Sequence, residues 1–394
     1  MTGAALLLPL ASVWLAFGTL LVLGTVARAR RQARAIWPQP RDLPGPVLMV
    51  RPCAGREPGL EANLMSVLNM QPTKCLSVLH VVPYNDPAVP TVQRACLHLR
   101  RAGWQAHCLV SQPHGANHKV AQLAQSEELW AAYQAVVCVD SDVQLDNFCL
   151  RQLLAPLGDP RCGAVWAPFV PADPCHTWGD RALQAVLGGS LHGFRLLGAL
   201  DRHGMVGKVL ALRPAALRAV GGWQALTAFL GEDMELGRRL RRAGYKIHVA
   251  NGFTHTWPPQ RNLRSAWERM VRWLMVIRSQ RTRLLWSYPL VFFPTAPLCL
   301  LAGAGAWLGP QPTATLWGAG LILMACAVRL SLGWACRRLY GWRPSWRMLI
   351  VDALLADALL ACAWLRALGS RRLRWRQRFL RLDRRGHMHE ISRA

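Results

Sequence analysis

The sequence predicts an α/β protein with a doubly wound sheet, held in a membrane by helices near both ends. Three observations support this fold class. Short apolar strands alternate with amphipathic helices through the middle of the chain, a long uncharged stretch precedes them, and further apolar stretches follow. Of the 394 residues, 52% are hydrophobic and 17% charged, which excludes a disordered protein and argues against a simple soluble domain.

Residues 4–26 form the first predicted membrane helix. They are 23 consecutive uncharged and mostly apolar residues, enough to cross a hydrocarbon core of ~30 Å at ~1.5 Å per residue. A cleaved signal peptide is the alternative, but the basic run of residues 28–34 follows the stretch instead of preceding it. By the positive-inside rule, the N-terminus lies outside and the next domain is cytosolic.

Residues 284–336 are predicted to form a transmembrane hairpin. The uncharged run from Leu284 to Val328 is about twice as long as a single span, and it is interrupted at Gly309-Pro310-Gln311-Pro312, where a turn is expected.

A weaker apolar segment, residues 346–366, carries Asp352 and Asp357 and precedes an arginine-rich tail, residues 367–394. If the segment crossed the bilayer, the arginines would lie outside, against the positive-inside rule. We therefore interpret the segment as re-entrant or interfacial in preference to transmembrane, and the tail as basic and cytosolic.

Residues 27–283 are predicted to form the α/β domain, with an interfacial helix near 262–283. The predicted strands are Pro46–Arg51, Cys75–Val82, Gln105–Val110, Ala135–Val139 and Gly163–Trp166. The predicted helices are Leu60–Met70, Val89–Arg101 and Lys119–Trp130. Ligands of such sheets bind at the carboxyl ends of the strands, so residues that follow a strand are the first candidates for a site.

The net charge of +26 is typical of proteins that bind nucleic acid or an anionic membrane surface, and the hydrophobicity favours the membrane. All but four of the 47 basic residues are arginines, a bias that indicates a GC-rich bacterial genome. The 12 cysteines form no Cys-x-x-Cys pair and no Cys/His cluster, so neither a disulfide framework nor a structural metal is predicted.

The first acidic motif, Asp140-Ser141-Asp142, follows the apolar strand Ala135–Val139. Two carboxylates at a strand end suit a hard divalent cation that bridges the phosphates of a nucleotide. Such a pair is common by chance in loops, but its position after an uninterrupted apolar strand favours the metal site.

The second acidic motif, Glu232-Asp233, precedes the basic helical residues 238–242. Acids at a helix start can be simple caps. The functional interpretation is that Asp233 is a general base that faces an acceptor.

The third motif, Arg269-Met270-Val271-Arg272-Trp273, lies just before the membrane hairpin. Arginines at i and i+3 share a helix face, where they could clamp a diphosphate or lie along lipid headgroups. Spacing alone does not separate these two roles.

The order of the three motifs before a membrane hairpin resembles the inverting, GT-A-fold ceramide glucosyltransferase family. The resemblance covers roughly Pro46 to Trp273 and the flanking membrane segments. Other segments that resemble the family are Arg51-Pro52-Cys53-Ala54-Gly55 with Glu57-Pro58, Asn85-Asp86-Pro87-Ala88, Gly115-Ala116-Asn117-His118-Lys119, and residues 163–173 and 205–222.

The resemblance implies a role for each matching residue. It assigns Asp86 to the uridine, Asp140 to the ribose and a Mn²⁺ or Mg²⁺ ion, Asp142 to the metal, and Asp233 to the general base. It assigns Glu232, Arg269, Arg272 and Trp273 to the diphosphate and the acceptor gate. Lys119 is a candidate phosphate contact, with a surface role as the alternative.

The function implied is transfer of a hexose, glucose first, from a UDP-sugar to a lipid hydroxyl, ceramide first, with inversion. A hopanoid or diacylglycerol acceptor is the alternative, and the full Asp-Ser-Asp motif and arginine tail fit bacterial relatives. A processive polysaccharide synthase shares the acidic motifs but normally has more membrane helices. A basic surface-binding protein without catalysis is the rival from another class. We expect a bacterial inner-membrane protein with a cytosolic site and no nucleic-acid partner.

Overall fold

The computed structural model describes residues 6–34, 37, 45–70, 75–172, 175–201, 203–257, 261–309, 311–375 and 378–391. The chain divides into two compact units. The sheet unit comprises Ala33–Pro174, Asp201–Pro259 and Arg371–Ala394, and the helical unit comprises Met1–Gln32, Cys175–Leu200 and Gln260–Ser370. Pro310 of the predicted turn and Arg376 of the tail lie outside the described residues.

The strands are β1 (Val47–Pro52), β2 (Leu76–Pro83), β3 (Gln105–Ser111), β4 (Ala135–Val139), β5 (Val143–Gln144), β6 (Cys162–Trp166), β7 (Phe169–Pro171), β8 (Val209–Leu212), β9 (Lys246–Val249), β10 (Thr254–Thr256), β11 (Arg372–Trp375), β12 (Arg378–Leu382) and β13 (Met388–Glu390).

The helices are α1 (Leu7–Arg34), α2 (Leu60–Met65), α3 (Val89–Arg101), α4 (His118–Ser126), α5 (Asn147–Leu154), α6 (Trp178–Gly189), α7 (Phe194–Leu200), α8 (Pro214–Ala219), α9 (Glu232–Arg242), α10 (Leu263–Gln280), α11 (Thr282–Trp286), α12 (Tyr288–Val291), α13 (Thr295–Leu308), α14 (Pro312–Leu339) and α15 (Trp346–Gly369).

The sheet unit is built on a seven-stranded sheet with the order β3-β2-β1-β4-β8-β6-β9. Strands β1 to β4 are parallel, and their carboxyl ends meet at one edge. The predicted α/β sheet is therefore confirmed, with Ala135–Val139 and Val89–Arg101 at the predicted bounds and the other predicted strands within one residue at each end. Strands β1 and β4 are buried at every position, as expected for strands covered on both faces.

Strand β8 was not predicted, and it changes the sheet at the point that matters for the site. It lies between β4 and β6 and is antiparallel to both. Because it runs in the opposite direction, its first residue lies at the same edge as the last residue of β4, where Val139 pairs with Val209. The residue before β8 is therefore placed beside the residue after β4.

Two smaller sheets complete this unit, with the orders β5-β10-β7 and β11-β12-β13. The second of them is formed by the arginine-rich tail, in which β12 pairs antiparallel with both neighbours. Leu380 and Leu382 of β12 are buried while Arg381 between them is exposed, so the tail has the period-two pattern of a half-buried strand.

Among the described residues of the helical unit, three helices are long and apolar enough to cross a membrane: α1, α14 and α15. The first arm of the predicted hairpin differs from a single span. It is divided into α11, α12 and the 14-residue α13. Pro289 and Pro294 lie within this region, and proline removes a helical hydrogen bond, which explains the breaks.

The segment predicted over residues 346–366 is one continuous helix of 24 residues, α15, which has the length of a crossing segment. Its two aspartates are paired within the helical unit. Asp352 pairs with Arg337 and, at 3.3 Å, with Arg181, and Asp357 pairs with Arg329 at 3.0 Å. The pairing explains how an apolar helix carries two carboxylates.

Candidate functional site

The Asp140-Ser141-Asp142 turn connects β4 to β5 at the carboxyl edge of the main sheet. The buried guanidinium of Arg51, on the neighbouring strand β1, contacts the backbone of this turn. It donates hydrogen bonds to the carbonyl oxygens of Asp140 and Val143, which lie on either side of the turn. The hydroxyl of Ser141 donates to Glu57, whose pKa is raised by burial and by the charge of Asp142.

Lys208, directly before β8, places its ammonium between the two aspartates of this turn. The Lys208 Nζ atom forms an ion pair with Asp142 Oδ1 and lies 3.4 Å from Asp140 Oδ2. Sequence reasoning missed this residue, because only the antiparallel pairing of β8 with β4 brings it to the turn.

Lys119, near the start of α4, connects the first acidic motif to the second. Its Nζ atom lies 2.7 Å from Asp140 Oδ1 and 3.5 Å from Glu232 Oε1. Burial alone would lower the pKa of Lys119, but the charges of Asp140 and Glu232 outweigh it and raise the pKa above its usual value. Lys119 therefore lies among the acids of the candidate site, and its role as a phosphate contact stays a prediction.

Asp233, in the first turn of α9, is held by two backbone amides. Its Oδ2 atom accepts a hydrogen bond from Gly207 N at 2.8 Å, and its Oδ1 atom accepts one from Met234 N at 2.8 Å. A side chain at Gly207 would place a Cβ 3.0 Å from the Asp233 Cβ, so the close approach favours glycine. Burial raises the pKa of Asp233, which makes its carboxylate a stronger base.

Glu232 is held from the other side by Asn117, which also caps α4. The Asn117 amide donates to Glu232 Oε2 at 3.2 Å and to the Phe229 carbonyl at 2.9 Å. Burial and the charge of Asp233 raise the pKa of Glu232 to about 7, although Lys119 opposes the shift. Glu232 therefore titrates near neutral pH beside the candidate base.

The tail sheet contacts the loop that leads to these two acids. Met388 N donates to the Ala228 carbonyl at 2.7 Å, and the His387 ring packs edge-on against Phe229 at 4.5 Å. Arg378 donates to the Ala116 carbonyl at 3.2 Å, next to Asn117. The arginine-rich tail is thus part of the wall behind the candidate site, a role that its composition did not indicate.

Asp86 follows β2 at the same edge of the sheet. Its Oδ1 atom accepts hydrogen bonds from Gly55 N at 2.6 Å and Ala88 N at 2.8 Å, so it ties the loop after β1 to the loop after β2. The preceding Asn85 has a positive φ of 54°, which turns the chain at this point.

Arg269, Arg272 and Trp273 all lie on α10, in the helical unit. Trp273 belongs to a cluster of rings in that unit: its ring stacks with His192 at 6.4 Å and meets Phe194 edge-on at 5.6 Å. Burial lowers the pKa of His192 to about 4, so its ring is neutral at physiological pH. The gate role predicted for α10 stays a prediction.

The carboxylates of Asp140 and Asp142 fit a divalent cation by their chemistry, since hard cations prefer oxygen ligands. The ammonium of Lys208 between them shows that this position accepts a positive charge. Within the described part of the chain, no group of three or more His, Cys, Asp or Glu side chains could hold a metal ion. Any ion here would therefore need further ligands from a bound molecule or water.

Three solved structures are similar to this chain. The mannosyltransferase PcManGT from Pyrobaculum calidifontis, solved with GDP-Man and Mn²⁺, is 17% identical with a TM-score of 0.53, over 92% of this chain and 99% of that one. TarS from S. aureus is 13% identical with a TM-score of 0.39, over 85% and 96%. Glucosyl-3-phosphoglycerate synthase from Mycobacterium tuberculosis, solved with Mn²⁺, UDP and phosphoglyceric acid, is 16% identical with a TM-score of 0.36, over 59% and 78%.

The first of these structures confirms the predicted GT-A fold class. A search of curated proteins gave no significant match. Residues 12–388, nearly the whole chain, match the family described as Glycosyl transferase family 21. The predicted resemblance is confirmed at the level of the family. This chain is thus a glycosyltransferase and belongs to glycosyl transferase family 21.

Proposed function

We propose that the protein transfers glucose from UDP-glucose to the hydroxyl of ceramide, with inversion, at the cytosolic face of a bacterial inner membrane. Family membership supplies the reaction class. The observation that carries the proposal is the convergence of the two acidic motifs on one lysine, because Lys119 contacts both Asp140 and Glu232. A base, a cation position and a partly buried ammonium are thereby grouped at the edge of the sheet where ligands bind.

In this proposal Asp233 removes the proton of the acceptor hydroxyl. The oxygen forms a bond with the anomeric carbon of glucose, and the bond from that carbon to UDP breaks, with the electron pair leaving on the diphosphate. The two amides that hold Asp233 fix its orientation, and its raised pKa favours proton transfer. Attack from the side opposite UDP inverts the configuration.

A Mn²⁺ or Mg²⁺ ion held by Asp140 and Asp142 would neutralise charge on the leaving diphosphate. Lys119 contributes a second positive charge near the phosphates, and Asp86 binds the uridine at the end of β2. These assignments are supported by the position of all four residues in the sheet unit and by the lysine contacts described above.

The lipid acceptor is supported by the helical unit, in which α1, α14 and α15 are apolar and long enough to span a bilayer. We assign Arg269, Arg272 and Trp273 of α10 to the diphosphate and the acceptor gate. The aromatic cluster around Trp273 gives that helix an apolar face suited to a lipid.

The full chain in lipid nanodiscs tests the proposal. We expect transfer of label from UDP-glucose to ceramide, identified by mass spectrometry, with diacylglycerol and a hopanoid as parallel acceptors. Asp142→Asn is expected to abolish divalent-dependent binding of UDP-glucose, whereas Asp159→Asn, on the exposed pair with Lys246, is the matched control. Glucosylation of another lipid would replace ceramide as the acceptor, and formation of a glucose polymer would favour the polysaccharide synthase.

The cytosolic placement is tested separately with Arg385→Cys in the tail. Because some native cysteines are exposed, the chain without this substitution is the reference. We expect an impermeant thiol reagent to label the variant no more than the reference in intact cells, and more than the reference in inverted vesicles. Extra labelling of the variant from outside intact cells would contradict the topology.

A further inference from the structure

Lys208 has no assigned role in the function proposed above, although its side chain lies between the two aspartates of the candidate site. Backbone pairing fixes its place: Asp140 N donates a hydrogen bond to the Lys208 carbonyl at 2.9 Å, where β4 and β8 meet. Its side chain is 13% exposed, and its ammonium lies 5.4 Å from the centre of the Phe169 ring. The ammonium is therefore largely buried, and its carboxylate partners are Asp140 and Asp142.

This ammonium occupies the position that the proposed function gives to a divalent cation. Asp142 is only 5% exposed, so it cannot exchange Lys208 for bulk water without cost. A metal ion that binds both aspartates would place a second positive charge next to the ammonium, and the two charges repel each other. Lysine and metal are thus alternative partners of the same carboxylates.

The charges around the turn show why an exchange is feasible. Among the described residues, five acidic side chains stand against three basic ones, so the acids remain in excess even when Glu232 is protonated, and this excess favours a divalent cation. The acidic members are Glu57, Asp140, Asp142, Glu232 and Asp233, and the basic members are Arg51, Lys119 and Lys208.

We propose that Lys208 competes with the divalent cation for Asp140 and Asp142, and so couples metal binding to the arrival of the donor diphosphate. This inference rests on the proposed function, because it takes these two carboxylates as the metal ligands. Without the diphosphate, Lys208 satisfies both aspartates and metal binding is weak. When the diphosphate is bound, its oxygens give the displaced ammonium of Lys208 a new anionic partner.

The test is a titration of the full chain in detergent with Mn²⁺, in which binding is measured by electron paramagnetic resonance. Nucleotide, sugar and lipid are left out. Lys208→Met keeps the length of the side chain and removes the charge, so we expect its affinity for Mn²⁺ to rise at least about 10-fold. Lys208→Arg keeps the charge and is expected to bind as weakly as wild type. Lys246→Met removes a lysine from the exposed Asp159 pair and serves as the matched control.

Thermal unfolding provides a second measurement if Lys208→Met is poorly stable. Mn²⁺ should raise the unfolding midpoint of Lys208→Met more than that of wild type, because a tighter ligand stabilises the folded state more. The double variant Lys208→Met/Asp142→Asn should lose this gain. Equal or weaker Mn²⁺ binding by Lys208→Met, or a gain that survives Asp142→Asn, would overturn the proposal.

The coupling is read from a third titration, in which UDP is present at saturation. UDP should raise the Mn²⁺ affinity of wild type by a larger factor than that of Lys208→Met. Since no sugar or lipid is used, a failure of the competition is seen in these titrations alone. A failure of the proposed function is seen separately, as the absence of glucosylated ceramide with wild-type protein.

Discussion

The two units both bury charged side chains, but they arrange them differently. In the helical unit, Arg337 and Asp352 are 2% and 3% exposed and link α14 to α15, and Arg329 binds Asp357 in the same way. In the sheet unit, Lys119 and Lys208 share Asp140 between them, and each also contacts a second carboxylate.

The difference separates a structural use of charge from a functional one. An arginine and a carboxylate on adjacent helices form a fixed, directional contact that holds the helices in register. The lysines of the sheet unit, Lys119 near the start of α4 and Lys208 before β8, are point charges on flexible stems, and they can move between partners when a ligand brings new charge. Substitutions in the first region should therefore change stability, and substitutions in the second should change turnover and ligand binding.

The largest effect is expected from Asp233→Asn, which keeps the size of the side chain and removes the proton acceptor. General-base catalysis contributes ~10²–10⁴-fold, so lipid glucosylation should fall at least about 100-fold while UDP-glucose affinity changes little. Radiolabel transfer and equilibrium binding of the donor measure the two quantities. Glu232→Gln is the neighbouring control; if it is inactive and Asp233→Asn is not, the base is Glu232.

Asp352→Asn, in contrast, should lower the stability of the protein and leave donor binding unchanged. Removing one partner of a buried ion pair typically costs about 3–5 kcal/mol in stability, because Arg337 is left as an uncompensated buried charge. SDS titration of the detergent-solubilised chain should show this loss, with UDP-glucose affinity of the folded fraction unchanged. Glu268→Gln, on the exposed pair with Arg264, should change stability by about 0.5 kcal/mol or less. Comparable losses in both variants would remove the distinction between buried and exposed pairs.

His387→Ala tests whether the tail sheet positions the loop before Glu232. An aromatic contact such as that between His387 and Phe229 contributes ~0.5–1.5 kcal/mol, so turnover should fall by up to about 10-fold with donor affinity unchanged. His389→Ala, on the exposed side of the same sheet, is expected to behave as wild type. Equal activity of both variants would show that the tail does not support the site.

The smallest expected effect is a change in pH dependence. The charge of Asp233 contributes to the raised pKa of Glu232, which is about 7, so Asp233 ionises first and Glu232 is still protonated where it does. Glu232→Gln cannot ionise, so any change in kcat/KM near pH 7 that comes from Glu232 should disappear, while the acid limb set by Asp233 stays in place. An acid limb that moves in Glu232→Gln would contradict this order of ionisation.

Much of the fold follows from local pattern. The strand Ala135–Val139 and the helix Val89–Arg101 were predicted at their observed bounds, because an unbroken apolar run and a strong 3.6-residue period are properties of adjacent residues. The acidic motifs were found for the same reason, since each is contiguous in the chain and the first follows a recognisable strand.

The sequence by itself determined which acidic residues are candidates for the site and which strand the first acidic motif follows. It also determined which segments are apolar enough for a membrane. The tertiary structure alone decided the partners of those acids. Strand β8 has only four residues, and nothing local shows that it inserts antiparallel beside β4. That pairing brings Lys208 to Asp140 and Asp142, and a contact made by residues far apart in the chain depends on the whole sheet, which no local period encodes.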